Sequence, residues 1–334
     1  MRPGPKNAIT DVAGIEVGHH THASGLTGTT VVLAREGAVA GVDVRGSAPG
    51  TRETDLLQPS NLVERVQAVV LSGGSAYGLE AANGTVKYLE EHGLGQPVGP
   101  NQVVPIVPAA VIFDLGRGGD FQLRPTSEFG YQAAQRASGG PVAMGNVGVG
   151  TGARAGGLKG GLGSASVVLD SGIVVGAIVA VNSLGRIHHP VTGDLYARYL
   201  ELAGEFGMKW PDTVPPPPTA DYSDVFAEGN ELRVRNTVIG VVATNAALTK
   251  VQCQKLAQMA HDGMARAIQP AHTMFDGDVI FALSTGNSGS VGPAELSNLG
   301  ALAADTFSRA IIRGVLAAKS AGGMTSYREA FPEA

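Results

Sequence analysis

The chain has 334 residues, of which 48 are glycine and only 16 % are charged, and its formal net charge is −5. An apolar fraction of 43 % excludes a disordered chain, and clustered glycines exclude a collagen, whose glycines recur at every third position. The net negative charge does not indicate the basic surface that binds nucleic acid or an anionic membrane, so neither is an expected partner.

The sequence contains no segment that predicts secretion or membrane insertion. The apolar runs 103–113 and 173–181 are shorter than the roughly 18 residues that a membrane helix needs. No apolar stretch follows the N-terminal segment 1–6 in the manner of a secretion signal. The single cysteine, Cys253, cannot form an internal disulfide and is expected in the core. We therefore expect a soluble, cytoplasmic, globular protein.

The first hundred residues predict strands and one helix around a glycine-rich turn. Two strands over 28–33 and 38–44, separated by a glycine-containing turn, predict a hairpin. A buried strand over 67–71 ends at Gly73-Gly74, and apolar residues near helical spacing predict a helix over 75–91.

The turn before this helix is similar to two functional motifs but completes neither. Ser75 lies at a strand–turn–helix junction, as the serine of a nucleophile elbow does, but Tyr77 stands where the elbow requires glycine. The stretch also misses the dinucleotide-binding pattern G-x-G-x-x-G by one position, and no G-K-[ST] of a phosphate-binding loop is present. Neither a serine nucleophile nor a cofactor is predicted.

Two histidine clusters, His19-His20-x-His22 and His188-His189, are candidates for a metal site. On a strand, His20 and His22 share one face while His19 points to the other. No cysteine or carboxylate follows at the spacing of a metal motif. No metal site is predicted at either cluster.

The second half alternates strands and helices around a proline-rich seam at residues 210–235. Four consecutive prolines in the seam favour an extended chain and exclude a regular element. Strands are predicted over 172–181, 237–244 and 278–283, and helices over 249–268, with Thr249 as N-cap, and 294–318. This alternation predicts sheets covered by helices.

A glycine tract at residues 145–163 is the densest in the chain, with nine glycines in 19 residues. Ordering so many glycines costs conformational entropy, so the tract either approaches a ligand closely or is a mobile surface loop. Lys159 lies within it and is either desolvated beside a reacting group or simply solvated. Composition leaves both interpretations open.

Two further constellations flank predicted strands. Asp276 and Asp278 would share one side of an extended segment, either at a site or in an ordinary turn with solvated carboxylates. Asn236-Thr237 places a hydroxyl at the start of a strand directly after the seam. An N-terminal threonine can use its own α-amine as general base, but that amine exists only if the 236–237 bond is cut. The seam is therefore either a linker or a processing segment.

Six segments in a fixed order carry a resemblance to a known family. They are ITDVAGIEVGHHT at 9–21, VVLSGGSAYGLEAANG at 69–84, the glycine tract with Lys159, AVNSLG at 180–185, RNTVIGVVATNAALTK at 235–250 and HTMFDGD at 272–278. Together they resemble the N-terminal nucleophile hydrolases grouped around L-aminopeptidase/D-esterase (DmpA-like), β-peptidyl aminopeptidases and nylon-oligomer hydrolases. The resemblance covers nearly the whole chain, and the common order of the segments makes it specific.

The resemblance implies an architecture and a maturation step. The fold would be α/β of the α+β type, a four-layer α-β-β-α sandwich shared with ornithine acetyltransferase, in a single domain over 1–334. The chain would cut itself between Asn236 and Thr237 into an α fragment, 1–236, and a β fragment, 237–334. These fragments would stay associated, and the αβ units would assemble as a homotetramer or a larger set.

The resemblance also implies residue roles. The freed amine of Thr237 would activate its own hydroxyl, which attacks a small peptide or amide substrate and forms an acyl-enzyme that water hydrolyses. By similarity, Asn182 donates to the oxyanion and Lys159 lies near the nucleophile. Asp276 with Asp278 would orient the threonine amine and hydroxyl.

At one place the chain departs from the family pattern. Members carry a tyrosine near the oxyanion site, and peptidase members carry a glutamate two residues earlier that holds the substrate's free amine. The matching residues here are Phe113, which cannot donate a hydrogen bond, and Val111, which cannot pair with an ammonium. An apolar amide substrate, as for the nylon-oligomer hydrolases, therefore gains weight over a strict aminopeptidase substrate.

Two alternatives to a hydrolase remain open at this point. An acyltransferase of the related ornithine-acetyltransferase fold also uses an internal threonine nucleophile, and the Asp276–Asp278 context favours the hydrolase over it. A binding protein that keeps the fold without the chemistry is the second, and Phe113 is its best support.

Overall fold

The structure, a computed structural model, describes residues 1–208, 222–223, 225–226, 236–286 and 290–332. The predicted seam at 210–235 lies almost entirely outside the described residues. The strands are β1 Glu16–His22, β2 Thr27–Val44, β3 Thr51–Arg52, β4 Arg65–Ser72, β5 Gln96–Gly99, β6 Gln102–Val104, β7 Ala109–Val111, β8 Arg154–Ala155, β9 Leu158–Lys159, β10 Gly161–Val168, β11 Val174–Val181, β12 Ile239–Thr244 and β13 Val279–Ser284. The helices are α1 Ala81–Glu91, α2 Ser127–Gln135, α3 Lys250–Ala267, α4 Pro293–Leu316 and α5 Tyr327–Ala330.

Within the described residues, nine strands form one mixed sheet. Its order is β10-β11-β12-β13-β2-β4-β7-β3, with β1 paired to β2 beside this path. The pairs β12–β13 and β4–β7 are parallel, and the others are antiparallel. The strands β12 and β13 are joined through α3, so they form a βαβ unit, as adjacent parallel strands require.

Strand β2 is the element that joins the two halves of this sheet. Residues 27–33 pair with β1 and β4, whereas residues 39–44 pair with β13. Between them the β2–β4 register shifts, and Gly37 has a φ of +75°, which glycine adopts at little cost. The predicted hairpin of 28–33 and 38–44 is therefore wrong. Both segments belong to one strand, because the glycine produces an irregularity that bends the strand and does not reverse it.

Alternating strand residues point into different apolar clusters, and this alternation defines the layers. On β2, Val31 packs with α1 and α2, whereas its neighbour Val32 packs between the two halves of the sheet. On β12, Val241 joins the same central cluster, whereas Val242 packs with α3 and α4. The halves therefore face each other with a helical layer outside each, and the predicted four-layer α-β-β-α sandwich is confirmed.

Two of the predicted helices show how well local signals worked. Helix α3 begins after Thr249, whose hydroxyl accepts from the N–H of Gln252 in a capping box, and Cys253 is buried against the core. The predicted helix over 75–91 is α-helical only from Ala81, since a 3₁₀ turn occupies Ser75–Glu80. No helix in the described part of the chain has both the length and the apolar character of a membrane span.

Candidate active site

Three predicted site residues lie at one edge of the sheet, at the ends of three adjacent strands. Asn182 directly follows β11, Thr237 lies two residues before β12, and Asp278 directly precedes β13. Because β11 is antiparallel to β12 and β12 is parallel to β13, the end of the first and the starts of the other two meet. The N–H of Thr237 donates to the main-chain oxygen of Asn182 at 2.6 Å, and Asn236 forms a parallel bridge with Asp276.

The hydroxyl of Thr237 lies against the peptide bond that precedes it. The residue is 6 % exposed, and its Oγ1 donates to the carbonyl oxygen of Asn236. A Cβ on Gly277 would lie 2.9 Å from this hydroxyl and 2.4 Å from the carbonyl oxygen of Ala48. Glycine at 277 therefore leaves the space in which the threonine hydroxyl sits.

The two carboxylates of the D-G-D motif have different surroundings. Asp278 accepts from the N–H of Val238 at 2.7 Å through Oδ1, and its Oδ2 lies 2.8 Å from Nδ1 of His272. Asp276 accepts from the N–H and the hydroxyl of Thr273 at 3.0 and 2.6 Å, both through Oδ2. Its Oδ1 is buried and has no hydrogen-bond partner among the described residues.

The electrostatics of Asp276 follow from this burial. Desolvation and the neighbouring charge of Asp278 raise the pKa of Asp276 to about 6, against smaller opposing effects of the two Thr273 donors and of the nearby N–H of Leu184, which forms no hydrogen bond with Oδ1. A carboxylate with an unpartnered buried oxygen and a raised pKa favours the arrival of a cation. The α-ammonium that cutting at 236–237 would create is such a group.

A pH test of stability follows for Asp276. Because its pKa rises from 3.8 to about 6 on folding, the folded uncut chain keeps a proton that the unfolded chain releases. The contribution of Asp276 to the free energy of unfolding of an uncut Thr237→Ala chain should therefore fall by up to about 3 kcal/mol as the pH rises from about 4 to about 6. Other buried groups also titrate over this range, and His261 changes the stability in the opposite direction, so the measured quantity is the difference between this chain and the same chain with Asp276→Asn, from urea titrations at both pH values. An identical pH dependence of the two chains would contradict the assignment.

Sequence reasoning quoted His272 in its motif without giving it a role, and it missed His261. The rings of His261 and His272 meet edge to face at an interplanar angle of 68°, with centroids 4.9 Å apart. His261 is fully buried, its Nε2 lies 3.1 Å from the main-chain oxygen of Asp43, and burial lowers its pKa to about 3. A neutral His261 therefore packs behind His272, which in turn holds Asp278. The signal available in the sequence was a histidine shortly before a D-G-D motif.

Asn182 is held by a residue that sequence reasoning also missed. Its carboxamide Oδ1 accepts from Nη1 of Arg117 at 2.6 Å and from the N–H of Arg154 at 3.1 Å. The only local signal for Arg117 was that it stands among glycines at 116–119.

Lys159 lies inside the glycine tract and is fully buried. Its Nζ donates to the carbonyl oxygens of Gly150, Ala153 and Gly160 at 3.0, 3.0 and 2.7 Å, which uses all three donors of an ammonium. Burial, with a further contribution from Arg117, lowers its pKa to about 7. The tract is thus packed around Lys159, and in the described residues the ammonium holds the tract together and does not hydrogen-bond to Thr237.

A lysine pair in the chain allows a matched test of this clamp. We expect Lys159→Met to lower the free energy of unfolding by about 3 kcal/mol or more, because three buried carbonyls lose their donor. Lys250 likewise donates to three carbonyls, those of Leu56, Asn61 and Val63, in a separate loop. Urea unfolding and kcat are measured for both variants. Lys250→Met should lower stability alone, whereas Lys159→Met should also lower kcat about tenfold or more, and equal kcat values would refute a link to the site.

The segment 48–50 connects the predicted substrate position at Val111 to Asp276 through main-chain hydrogen bonds. Val111 is buried at the end of β7, and its N–H donates to the carbonyl oxygen of Gly50 at 3.1 Å. Gly50 ends a segment in which Ala48 donates to the main-chain oxygen of Asp276 at 3.0 Å. Phe113 follows two residues later and is half-buried.

The other candidate motifs have packing roles in the described residues. His20 and His22 both pack on Phe129, while His19 lies 3.0 Å from the hydroxyl of Thr30. His188 packs against aromatic rings of the C-terminal segment. Within the described ranges, no three His, Cys, Asp or Glu side chains are grouped so that they could hold a metal ion.

Known proteins similar to this chain include two curated relatives and one solved structure. An uncharacterized aminopeptidase of Mycobacterium leprae is 47 % identical, over 100 % of this chain and 97 % of its own length. A 6-aminohexanoate-oligomer endohydrolase of a Kocuria strain is 31 % identical, over 82 % of this chain and 74 % of its own length. The solved L-aminopeptidase D-Ala-esterase/amidase of Ochrobactrum anthropi, described as a variant of the Ntn hydrolase fold, aligns with a TM-score of 0.71 at 22 % identity, covering 95 % and 87 % of the two chains.

These similarities decide between the three interpretations left open by the sequence. The structural neighbour supports the fold, and the curated relatives support an enzyme that hydrolyses amide or peptide bonds. The prediction of an amide or peptide hydrolase is therefore confirmed, and the acyltransferase and non-catalytic alternatives gain no support. The model of peptidase family S58 matches residues 7–328, nearly the whole chain, and the protein belongs to this family.

Proposed function

We propose that this hydrolase is a self-processing enzyme whose nucleophile is Thr237, made N-terminal by cleavage of the Asn236–Thr237 bond. The observation that carries the proposal is the hydroxyl of Thr237, buried and in contact with the carbonyl group of Asn236. A hydroxyl in that position is poised to attack the bond that precedes it.

The self-cleavage step uses groups that surround this bond. Oγ1 of Thr237 attacks the carbonyl carbon of Asn236, the C–N bond breaks, and the acyl group passes from nitrogen to oxygen while the hydroxyl proton passes to the departing nitrogen. Water then hydrolyses the ester, which leaves a carboxylate on Asn236 and restores the hydroxyl. Asp278, bonded to the N–H of Val238, fixes the main chain next to the nucleophile while these bonds change.

The mature enzyme would reuse the same hydroxyl on a substrate. The new α-amine of Thr237 is generated beside Asp276, whose unpartnered buried oxygen supplies an acceptor for it. That amine takes the proton of Oγ1 as the hydroxyl attacks the substrate carbonyl, and it protonates the leaving amine. Asn182 is the proposed donor to the oxyanion, and water hydrolyses the acyl-enzyme.

For the substrate we propose an amide with an apolar acyl group. Val111 is buried and packed against Gly50: a Cβ added to Gly50 would lie 2.5 Å from Cγ2 of Val111. Because the valine side chain is apolar, this position offers no carboxylate to a substrate ammonium. The 31 % identical relative named as a 6-aminohexanoate-oligomer endohydrolase supports this substrate class. Chromogenic α-, β- and D-aminoacyl amides and ω-amino oligomers, each free and N-acetylated, test it. A requirement for the free amine in every substrate would contradict it.

The intact mass of the purified protein is the test of self-processing. We expect two fragments, 1–236 and 237–334, in place of the 34.0 kDa chain, and co-elution of both at the size of a homo-oligomer under native conditions. An active protein that remains at 34.0 kDa after prolonged incubation would overturn the proposal.

A further inference from the structure

Arg117 contacts a residue of the proposed site although it lies 65 positions away from it in the sequence. Its Nη1 donates to Oδ1 of Asn182 at 2.6 Å and to the carbonyl oxygen of Gly152 at 2.5 Å. The N–H of Arg154 donates to the same Oδ1 at 3.1 Å. One carboxamide oxygen is therefore held by a guanidinium and by the glycine tract.

The chemistry of these donors decides which way the carboxamide of Asn182 is turned. A guanidinium and a main-chain N–H can only donate, so the group between them must be the acceptor oxygen. A carboxamide turned by 180° would direct its NH₂ group at two N–H donors and lose both hydrogen bonds. The NH₂ end is consequently fixed on the side away from Arg117 and Arg154.

Arg117 is itself held in place by its surroundings. Its N–H closes a turn on the main-chain oxygen of Asp114 at 3.2 Å. The Asp114 carboxyl is buried, accepts from the N–H of Gly74 at 2.6 Å and from the hydroxyl of Thr27 at 2.8 Å, and attracts the guanidinium charge. The guanidinium therefore reaches Asn182 from a turn that is anchored at Asp114, and its positive charge polarises the carboxamide toward stronger donation.

We propose that Arg117 is a positioning residue of the hydrolase, which fixes and polarises the carboxamide of Asn182 so that its NH₂ group donates to the oxyanion. The proposal rests on the proposed function, in which Asn182 is that donor. In this proposal Arg117 acts on turnover mainly through Asn182, and its hydrogen bond to Gly152 anchors it to the glycine tract.

A double-mutant cycle tests this dependence. Single variants Arg117→Met and Asn182→Ala, and the double variant, are assayed on the amide that the unmodified enzyme hydrolyses fastest, with kcat referred to the cut fraction found by intact mass. We expect Arg117→Met to lower kcat about 10–100-fold with less than about a threefold change in KM, since the lost interaction acts on the transition state. In the Asn182→Ala background the same change should cost less than about twofold.

Two further variants keep the test decisive. Arg117→Lys retains the charge and one donor, so its kcat should lie between the values of Arg117→Met and the unmodified enzyme. If Arg117→Met does not fold, the double-mutant cycle is run with Arg117→Lys. Arg35→Met is the control variant. Arg35 lies on β2 and forms an ion pair with Glu16 on β1, so its replacement should leave kcat unchanged.

The outcomes separate this inference from the proposed function. Full additivity in the double variant, an unchanged kcat in Arg117→Met, or an Arg117→Met chain that stays uncut while Asn182→Ala is cut would each overturn the role of Arg117 alone. An Asn182→Ala enzyme with normal kcat would instead show that the oxyanion assignment of the proposed function is wrong, and the role of Arg117 would fall with it.

Discussion

The Thr237→Ala chain should stay intact at 34.0 kDa and should hydrolyse amides at least about 10⁴-fold more slowly than the unmodified enzyme. One hydroxyl is proposed to perform both reactions, so its removal stops maturation and catalysis together. Intact mass and the release of a chromogenic amine measure the two losses on the same sample.

Two companion variants separate the hydroxyl from its packing. Thr237→Val replaces the hydroxyl with a methyl group of similar volume, which fills the same space beside Gly277. Like Thr237→Ala, it should remain uncut and inactive. Thr237→Ser keeps the hydroxyl and should still be cut and active, more slowly because serine loses the methyl group that restricts its rotamer. Cutting of Thr237→Val at 236–237, or an uncut Thr237→Ser, would refute the assignment of the nucleophile.

The sequence predicted at which strand ends the site residues lie, but it did not predict which of these residues contact each other. The sequence placed Asn182, Thr237 and Asp278 beside three apolar strands, and those strands are β11, β12 and β13. The βαβ unit of β12, α3 and β13 brings the starts of two of these strands together, as parallel strands joined by a helix do. The antiparallel placement of β11 beside β12 has no comparable local signal.

Contacts between residues far apart in the chain could not be predicted from the sequence, for a physical reason. Arg117 and Asn182 meet across 65 positions, and Asn236 meets Asp276 only because β12 and β13 are neighbours. Hydrogen bonds of this kind depend on which strands pair, and apolar periodicity carries little information about pairing order. The same limit explains the incorrect hairpin in β2, since a glycine between two apolar runs is compatible with both a reversal and a bend.

The second large effect is expected at Asn182. Asn182→Ala should lower kcat about 10²–10³-fold, close to 3 kcal/mol in the barrier, with a smaller loss in the free energy of unfolding. The carboxamide has two ends with different tasks. Its oxygen holds Arg117 and the N–H of Arg154, which is structural, and its NH₂ group is proposed to stabilise the oxyanion, which is catalytic. Alanine removes both ends, so a loss of turnover alone does not identify the cause.

Asn182→Asp separates the two ends of the carboxamide. It keeps an oxygen for Arg117 and Arg154, and the carboxylate should hold the guanidinium at least as well, so stability should be preserved in urea unfolding. It replaces the NH₂ donor with an oxygen that repels the developing negative charge, so kcat should fall at least as far as in Asn182→Ala. If Asn182→Asp retained turnover while Asn182→Ala lost it, the oxygen end would be the one that matters, and Asn182 would support the site without donating to the oxyanion. A stable but inactive Asn182→Asp enzyme assigns the loss to the NH₂ end of the carboxamide, because the oxygen end still holds Arg117 as it does in the unmodified enzyme.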